Sequence, residues 1–197
     1  MLLYNNALSG NCYKVRLLLA QLGLEYQRRE LDVFDRSDRP EVLGDLNPAL
    51  RVPTLVLDDG RALAESGAIL WHLAEGSQYL PSDGFERAQV LQWMFFEQYD
   101  VEPNIAVVRF WELGGIHAPE AEREGKVKAG YRALNALERH LGQHEFLVGE
   151  RYSIADIALF GYAHVAPEGG FALERYPTLR SWLSRVAAQP GHVAITD

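Results

Sequence analysis

Cysteine is nearly absent: Cys12 is the only one in 197 residues. A single thiol excludes an internal disulfide and any multi-cysteine zinc or iron–sulfur site. Low cysteine use fits a reducing, cytoplasmic setting. Basic clusters are missing as well. Lys plus Arg number 19 against 27 Asp plus Glu, a formal net charge of −8. That balance lacks the electrostatic footprint of a nucleic-acid binder and disfavours an anionic membrane surface. Long apolar runs are lacking: Leu17-Leu18-Leu19-Ala20 falls far short of the ~18 residues that span a bilayer. The opening Met1-Leu2-Leu3-Tyr4-Asn5 shows no basic segment followed by an apolar one, so no leader peptide is expected. There is no internal repeat and no low-complexity tract. What remains is ordinary globular composition, 48% hydrophobic and 23% charged, enough for one or two domains with cores of their own.

The chain changes character near its middle. Leu2-Leu3-Tyr4 reads as a strand, and Asn5 to Asn11 as a loop rich in Asn, Ser and Gly. Val15, Leu18, Leu19 and Leu22 then fall on one helical face, closed by Gly23. Residues 26–33 are a weaker strand, and 40–46 a short helix with Pro40 near its start. Thr54-Leu55-Val56-Leu57 is a strand. Asp59-Gly60 is a hairpin turn and residues 61–64 the return. Ser66 to Ala74 is helical. The order β-α-β-α-β-β-α implies a parallel pair with a right-handed crossover and an antiparallel closing hairpin, hence a mixed sheet. Residues 76–85, with Pro81, Asp83 and Gly84, read as a linker. Beyond it only helical patterns occur. A long helix runs to Trp111 and stops at Gly114-Gly115; further stripes cover 127–141, 154–165 and 179–186. The expected architecture is an α/β domain over 1–75 and an all-helical domain over 86–197.

Three segments of the first half can carry chemistry. Ser9-Gly10-Asn11-Cys12-Tyr13-Lys14-Val15 is the turn from the first strand into the first helix. Unpaired N–H groups and the helix dipole favour an anion there. Ser9 or Asn11 can equally be the N-cap. Cys12 lies in the first turn, where a thiol pKa tends to fall, or it is a small buried hydrophobe. The second segment is Arg51-Val52-Pro53-Thr54. A cis Val52–Pro53 bond would turn the Val52 backbone outward, free to pair with an extended peptide. The third is Glu65-Ser66, with Ser66 as N-cap and a carboxylate beside it. Read functionally, it is a cradle for a ligand carboxylate and ammonium.

Together these segments resemble the cytosolic glutathione transferases, in particular bacterial serine-type members. Residues 9–16 look like the family's catalytic loop and first helix. Asn47-Pro48-Ala49-Leu50-Arg51-Val52-Pro53-Thr54-Leu55 is similar to its segment with a cis proline, Glu65-Ser66-Gly67-Ala68-Ile69 to its Glu-Ser-x-x-Ile signature, and Ser153-Ile154-Ala155-Asp156 to the capping box of its second domain. The resemblance covers the whole chain. It implies a thioredoxin-like first domain that binds glutathione as co-substrate. Glu65 and Ser66 would hold the γ-glutamyl end, Val52 would pair with the cysteinyl part next to cis Pro53, and Arg51 would reach the glycine carboxylate. Ser9 would donate to the sulfur, with Asn11 as a second donor. Cysteine-type members carry their cysteine in the same loop, but alignment on Lys14-Val15 puts it nearer Asn11 than Cys12. The implied activity is detoxifying transfer of glutathione to small hydrophobic electrophiles. Glutathione-dependent disulfide reduction, isomerisation and a non-catalytic binding role on the same fold are the alternatives.

The resemblance also implies an acceptor site lined by the first long helix of the second domain, with Tyr99, Asn104, Val108 and Trp111 as candidates, and a homodimer. Glu97, Gln98 and Asp100 interrupt that helix with polar groups. His140 and His144 have the i, i+4 spacing that zinc uses, but Gly142 separates them and no third ligand is evident, so no metal is expected.

Overall fold

The computed structural model describes all 197 residues, which form two compact units. The first comprises Met1–Glu75 together with Pro190–Asp197. Its elements are β1 (Leu2–Asn5), α1 (Gly10–Gln21), β2 (Gln27–Glu30), α2 (Arg39–Leu43), β3 (Thr54–Val56), β4 (Ala62–Ala64) and α3 (Ser66–Ala74), in the expected β-α-β-α-β-β-α order. The sheet runs β2-β1-β3-β4, with β1 and β2 parallel and the other pairs antiparallel. This is the thioredoxin-like arrangement.

Strand alternation divides the core into two layers. Leu3 and Leu55 are opposite each other in register and share one face. Val15 and Leu19 of α1 and Ile69 of α3 cover them, all without exposed surface. Tyr4 points the other way and packs with Leu31 and Leu43. Each such aliphatic side chain contributes roughly 1.5–3 kcal/mol on burial.

The chain's last residues depart from expectation. The helical domain was expected to run to 197, yet Pro190–Asp197 belongs to the first unit. Arg16 and Tyr13 on α1 are buried polar side chains that need acceptors. Backbone carbonyls of this segment supply them: Tyr13 Oη donates to Val193 O at 2.8 Å and Arg16 Nη2 to Ile195 O at 2.8 Å.

The second unit, Gly76–Gln189, is all helical: α4 (Gly84–Phe96), a π-helical stretch (Glu97–Ala106), α5 (Val107–Gly114), α6 (Glu120–Leu141), α7 (Ile154–Ala163), a 3₁₀ turn (Ala166–Gly169) and α8 (Pro177–Ala187). Asp83 caps α4 by accepting from Phe85 N and Glu86 N, so this helix begins inside the segment expected as linker. The long helix expected to reach Trp111 and stop at Gly114-Gly115 does so without a break in helical backbone, but its middle widens. Pro103 offers no N–H, and a ten-residue π-helix takes the place of regular α register around it. Asn104 Nδ2 donates back to Asp100 O at 2.7 Å, satisfying a carbonyl of this stretch. α7 carries the expected capping box: Ser153 accepts from Ala155 N, and Asp156 Oδ2 accepts from Ser153 N at 3.0 Å. No helix is long and apolar enough to cross a membrane.

Candidate functional site

Strand register brings the three segments to one end of the sheet. Tyr4 pairs with Thr54, and Thr54 with Ala64. The loop leaving β1, the loop entering β3 and the turn from β4 into α3 therefore share that end.

Ser9 occupies the N-cap of α1 with extended backbone (φ −78°, ψ 119°) and accepts from Cys12 N at 3.3 Å. Accepting uses an oxygen lone pair, so the hydroxyl can also donate, to the Cys12 sulfur in the free chain or to a ligand that takes its place. Cys12 has no exposed surface. Burial pushes its thiol up to about 11; hydrogen bonds from Ser9 and the Asn6 backbone and the charge of Arg16 pull the other way and do not prevail. Of the two readings open for Cys12, an activated first-turn thiol and a small buried hydrophobe, burial favours the second: desolvation outweighs the helix N-terminus. Cys12 is the small buried hydrophobe.

Asn11 lies in the first turn of α1 and does not cap it. Its Oδ1 accepts from Lys14 Nζ at 2.7 Å and from Ser66 Oγ at 3.2 Å. Lys14 is 1% exposed. Sequence spacing alone does not single it out. The available signal was its place between Tyr13 and Val15 on a helix with little polar surface. Ser66, expected as the N-cap of α3, is instead its first helical residue, and Glu65 holds the cap position. Ser66 is buried and its hydroxyl turns toward Asn11 rather than to the helix. Glu65 is exposed and adopts φ +67°, a left-handed conformation costing a non-glycine residue roughly 1–3 kcal/mol. Such strain concentrates where the surroundings dictate a side chain's direction.

The loop into β3 is built around Asn47, which is buried. Its Nδ2 donates to Arg51 O at 2.9 Å and Thr54 Oγ1 at 3.0 Å, and its Oδ1 accepts from Ala49 N. Thr54 Oγ1 donates to the same Arg51 carbonyl. Val52–Pro53 is cis, as expected, with Pro53 buried, Val52 half-buried and the Arg51 side chain exposed. Asn47 and Thr54 were not singled out in the sequence, although Asn-Pro before an apolar strand is a turn signal.

The acceptor candidates differ in exposure. Tyr99 is 83% exposed, Val108 is fully buried, and Trp111 is half-buried with the Lys126 ammonium 6.0 Å from its ring centre. Asn104 is engaged with Asp100, as above. Glu97 is buried and accepts from Gln98 Nε2 at 2.8 Å. His140 and His144 stack with ring centres 4.4 Å apart. His140 Nε2 lies 3.1 Å from Leu147 O, and His144 Nδ1 pairs with Glu150.

Two family models cover most of the chain: "Glutathione S-transferase, N-terminal domain" over residues 8–75 and "Glutathione S-transferase, C-terminal domain" over 91–190. The chain belongs to the glutathione S-transferase family. A solved glutathione S-transferase from Pseudomonas fluorescens Pf-5 is similar at 49% identity and TM-score 0.94, spanning 100% of this chain and 98% of that one. Disulfide-bond oxidoreductase YfcG of Escherichia coli is 30% identical over 91% of this chain and 87% of its own length. Maleylacetoacetate isomerase of Pseudomonas aeruginosa is 31% identical over 96% and 92%. The sequence similarity extends to proteins with these different names, so reaction type rests on the site.

Proposed function

We propose that this chain is a serine-type glutathione transferase that uses Ser9, not Cys12, to hold the glutathione sulfur as a thiolate. The contrast between the two side chains carries the reading. Cys12 is sealed from solvent and its thiol is pushed up to about 11, whereas Ser9 stands half-exposed at the α1 N-terminus with a proton to donate. A free thiol has a pKa near 8.5, and lowering it by about two units takes about 2.7 kcal/mol. One hydrogen bond to an anion supplies roughly 1.5–3 kcal/mol, and the helix dipole adds to it. The Asn11 amide is the second donor. The thiolate attacks an electrophilic carbon, a sulfur–carbon bond forms, and the leaving group departs with its electron pair.

Glutathione would lie extended across the sheet's end. Glu65 would take the γ-glutamyl ammonium, and Ser66 with the α3 N-terminus its carboxylate. The Val52 backbone would pair with the cysteinyl residue, and Arg51 would meet the glycine carboxylate. The acceptor would be a small hydrophobic electrophile, the enzyme cytoplasmic and the assembly a homodimer. The kinship to a disulfide-bond oxidoreductase favours a second reading, in which the same thiolate attacks a disulfide.

Paired variants test the assignment. Ser9→Ala should raise the pKa of bound glutathione's thiol by about one to two units, the loss of one bond to an anion. At a pH below that range kcat should drop roughly ten- to a hundredfold, with KM for glutathione little changed. Stability should fall by about 1 kcal/mol, because Asn11 is turned away from the cap. Cys12→Ala should retain activity with an aryl halide. Inactive Cys12→Ala, normal Ser9→Ala and a mixed disulfide detected by mass would establish the cysteine mechanism instead. Turnover of a small disulfide alone would establish the reductase.

A further inference from the structure

We propose that Lys14 is a positioning residue: it fixes the orientation of the Asn11 amide so that the NH₂ end, and not the oxygen, is presented to the glutathione sulfur. This rests on the reading above in which Asn11 donates to the thiolate.

The two ends of an asparagine amide are nearly the same shape, and a half-turn about its last bond exchanges them. Their chemistry is opposite: one end donates, the other accepts. A donor facing a thiolate stabilises it, and a carbonyl oxygen in that place repels it. Whatever sets the orientation therefore sets the sign of the effect on the thiol. Asn11 Oδ1 accepts from Ser66 Oγ at 3.2 Å and from Lys14 Nζ at 2.7 Å. A hydroxyl donates or accepts with equal ease, so Ser66 tolerates either orientation. An ammonium has donors only. With Lys14 in place the oxygen must face it, and the NH₂ group must face away. The lysine is one turn along the same helix and 1% exposed, so its head is held inside rather than extended to water. Ordinary helix-surface lysines reach outward with the charged end solvated. The short bond to a charged donor is also the stronger of the two contacts.

The Lys14–Asn11–Ser66 chain has a further consequence. With Lys14 present, the Ser66 hydroxyl donates to Asn11 in the free protein. A γ-glutamyl carboxylate arriving at Ser66 competes for that same proton. The glutamyl and sulfur ends of the site are then linked through one amide, and the lysine keeps that amide in place when Ser66 turns to the ligand.

The test is a double-mutant cycle read on the thiol pKa of bound glutathione, followed by thiolate absorbance in the ultraviolet. Lys14→Met keeps the length and apolar stem but removes the donors. It should raise the thiol pKa by about one unit, a roughly tenfold smaller thiolate fraction below that pKa, the order expected for a lost charge-assisted contact. Lys14→Arg, also a pure donor, should restore most of the effect. In an Asn11→Ala background, Lys14→Met should add nothing. Equal shifts in both backgrounds would overturn the proposal by showing that Lys14 acts independently of the amide. No shift from Lys14→Met beside a clear shift from Asn11→Ala would overturn it while leaving the Asn11 donor role standing. No shift from Asn11→Ala would remove that role and the proposal with it, with Ser9 tested separately. Should the buried substitutions prevent folding, the wild-type protein supplies the answer. The Asn11 side-chain NH₂ resonances should move across the titration of the bound thiol, and resonances that stay still would refute the orientation.

Discussion

Removing the Asp156 carboxylate should unfold the helical unit far more readily than its size suggests. The side chain has no exposed surface and accepts four hydrogen bonds. Oδ1 takes Leu147 N at 3.1 Å and Trp182 Nε1 at 2.9 Å, and Oδ2 takes Ser153 N at 3.0 Å and Ser153 Oγ at 3.2 Å. One carboxylate thus ties the start of α7 to α8 and to the segment before it. Asp156→Ala leaves three buried N–H groups without an acceptor, at roughly 1–3 kcal/mol each. An opposing contribution comes from the charge. Burial raises Asp156 to about 6 against the pull of its four donors, from an ordinary 3.8. Ionising it in the folded state therefore costs about 3 kcal/mol relative to the unfolded chain, and the substitution relieves that cost. The net loss at neutral pH should be about 3 kcal/mol, the middle of the range those opposing magnitudes allow. The sign of the pH dependence follows from the same shift. As pH falls, the folded state takes up the proton near 6 and the unfolded chain only near 3.8. Between those values this group adds stability as pH falls and withdraws it as pH rises. Asp156→Asn is nearly isosteric and does not titrate, so it should cost less than Ala, and the wild-type advantage over it should widen from pH 7 to pH 5. Urea unfolding followed by tryptophan fluorescence measures both quantities. An Ala variant as stable as the wild type or more so, or a wild-type-minus-Asn difference flat with pH, would refute the reasoning.

Glu65→Ala should weaken glutathione binding by about 2 kcal/mol, roughly thirtyfold, the low end for losing one partner of a charged pair because Glu65 is exposed in the free chain. Calorimetry giving an unchanged Kd would reduce Glu65 to the start of α3. Leu91, Phe95 and Tyr99 are exposed at intervals of four residues, with Phe95 at 68% and Tyr99 at 83%, and the proposed homodimer would cover such a row. Phe95→Asp should convert a dimer to a monomer by light scattering at micromolar concentration, and a wild-type mass equal to one chain would remove the dimer.

The element order of the first unit was legible because its strands are short apolar runs bounded by turn residues and its helices carry one apolar face. Leu3 and Leu55, or Val15 and Leu19, announce their faces through spacing alone. The Ser153–Asp156 box was legible as a local motif, and the cis Val52–Pro53 bond only through the family resemblance of the segment around it. The π-helical stretch was not. Pro103 disrupts α register, but a sequence pattern does not say whether the chain will break, kink or widen its helix there.

Local chemistry also wrote the candidate site into the sequence. Ser9, Asn11, Val52-Pro53 and Glu65-Ser66 sit at turns whose residue types foretell caps and exposed backbone. What each group does there was decided by tertiary structure, because burial and partnership depend on residues distant in the chain. Cys12 reads equally as an activated first-turn thiol or a small buried hydrophobe, and only its enclosure shows that desolvation prevails. Ser66 looks like a cap, and only the approach of Asn11, 55 positions earlier, shows where its hydroxyl turns. The last eight residues look like the end of a helical domain, and only the buried Tyr13 and Arg16, needing acceptors, show why they return to the first. Periodicity and turn chemistry are properties of neighbours along the chain; solvent access and hydrogen-bond partners are properties of the folded molecule.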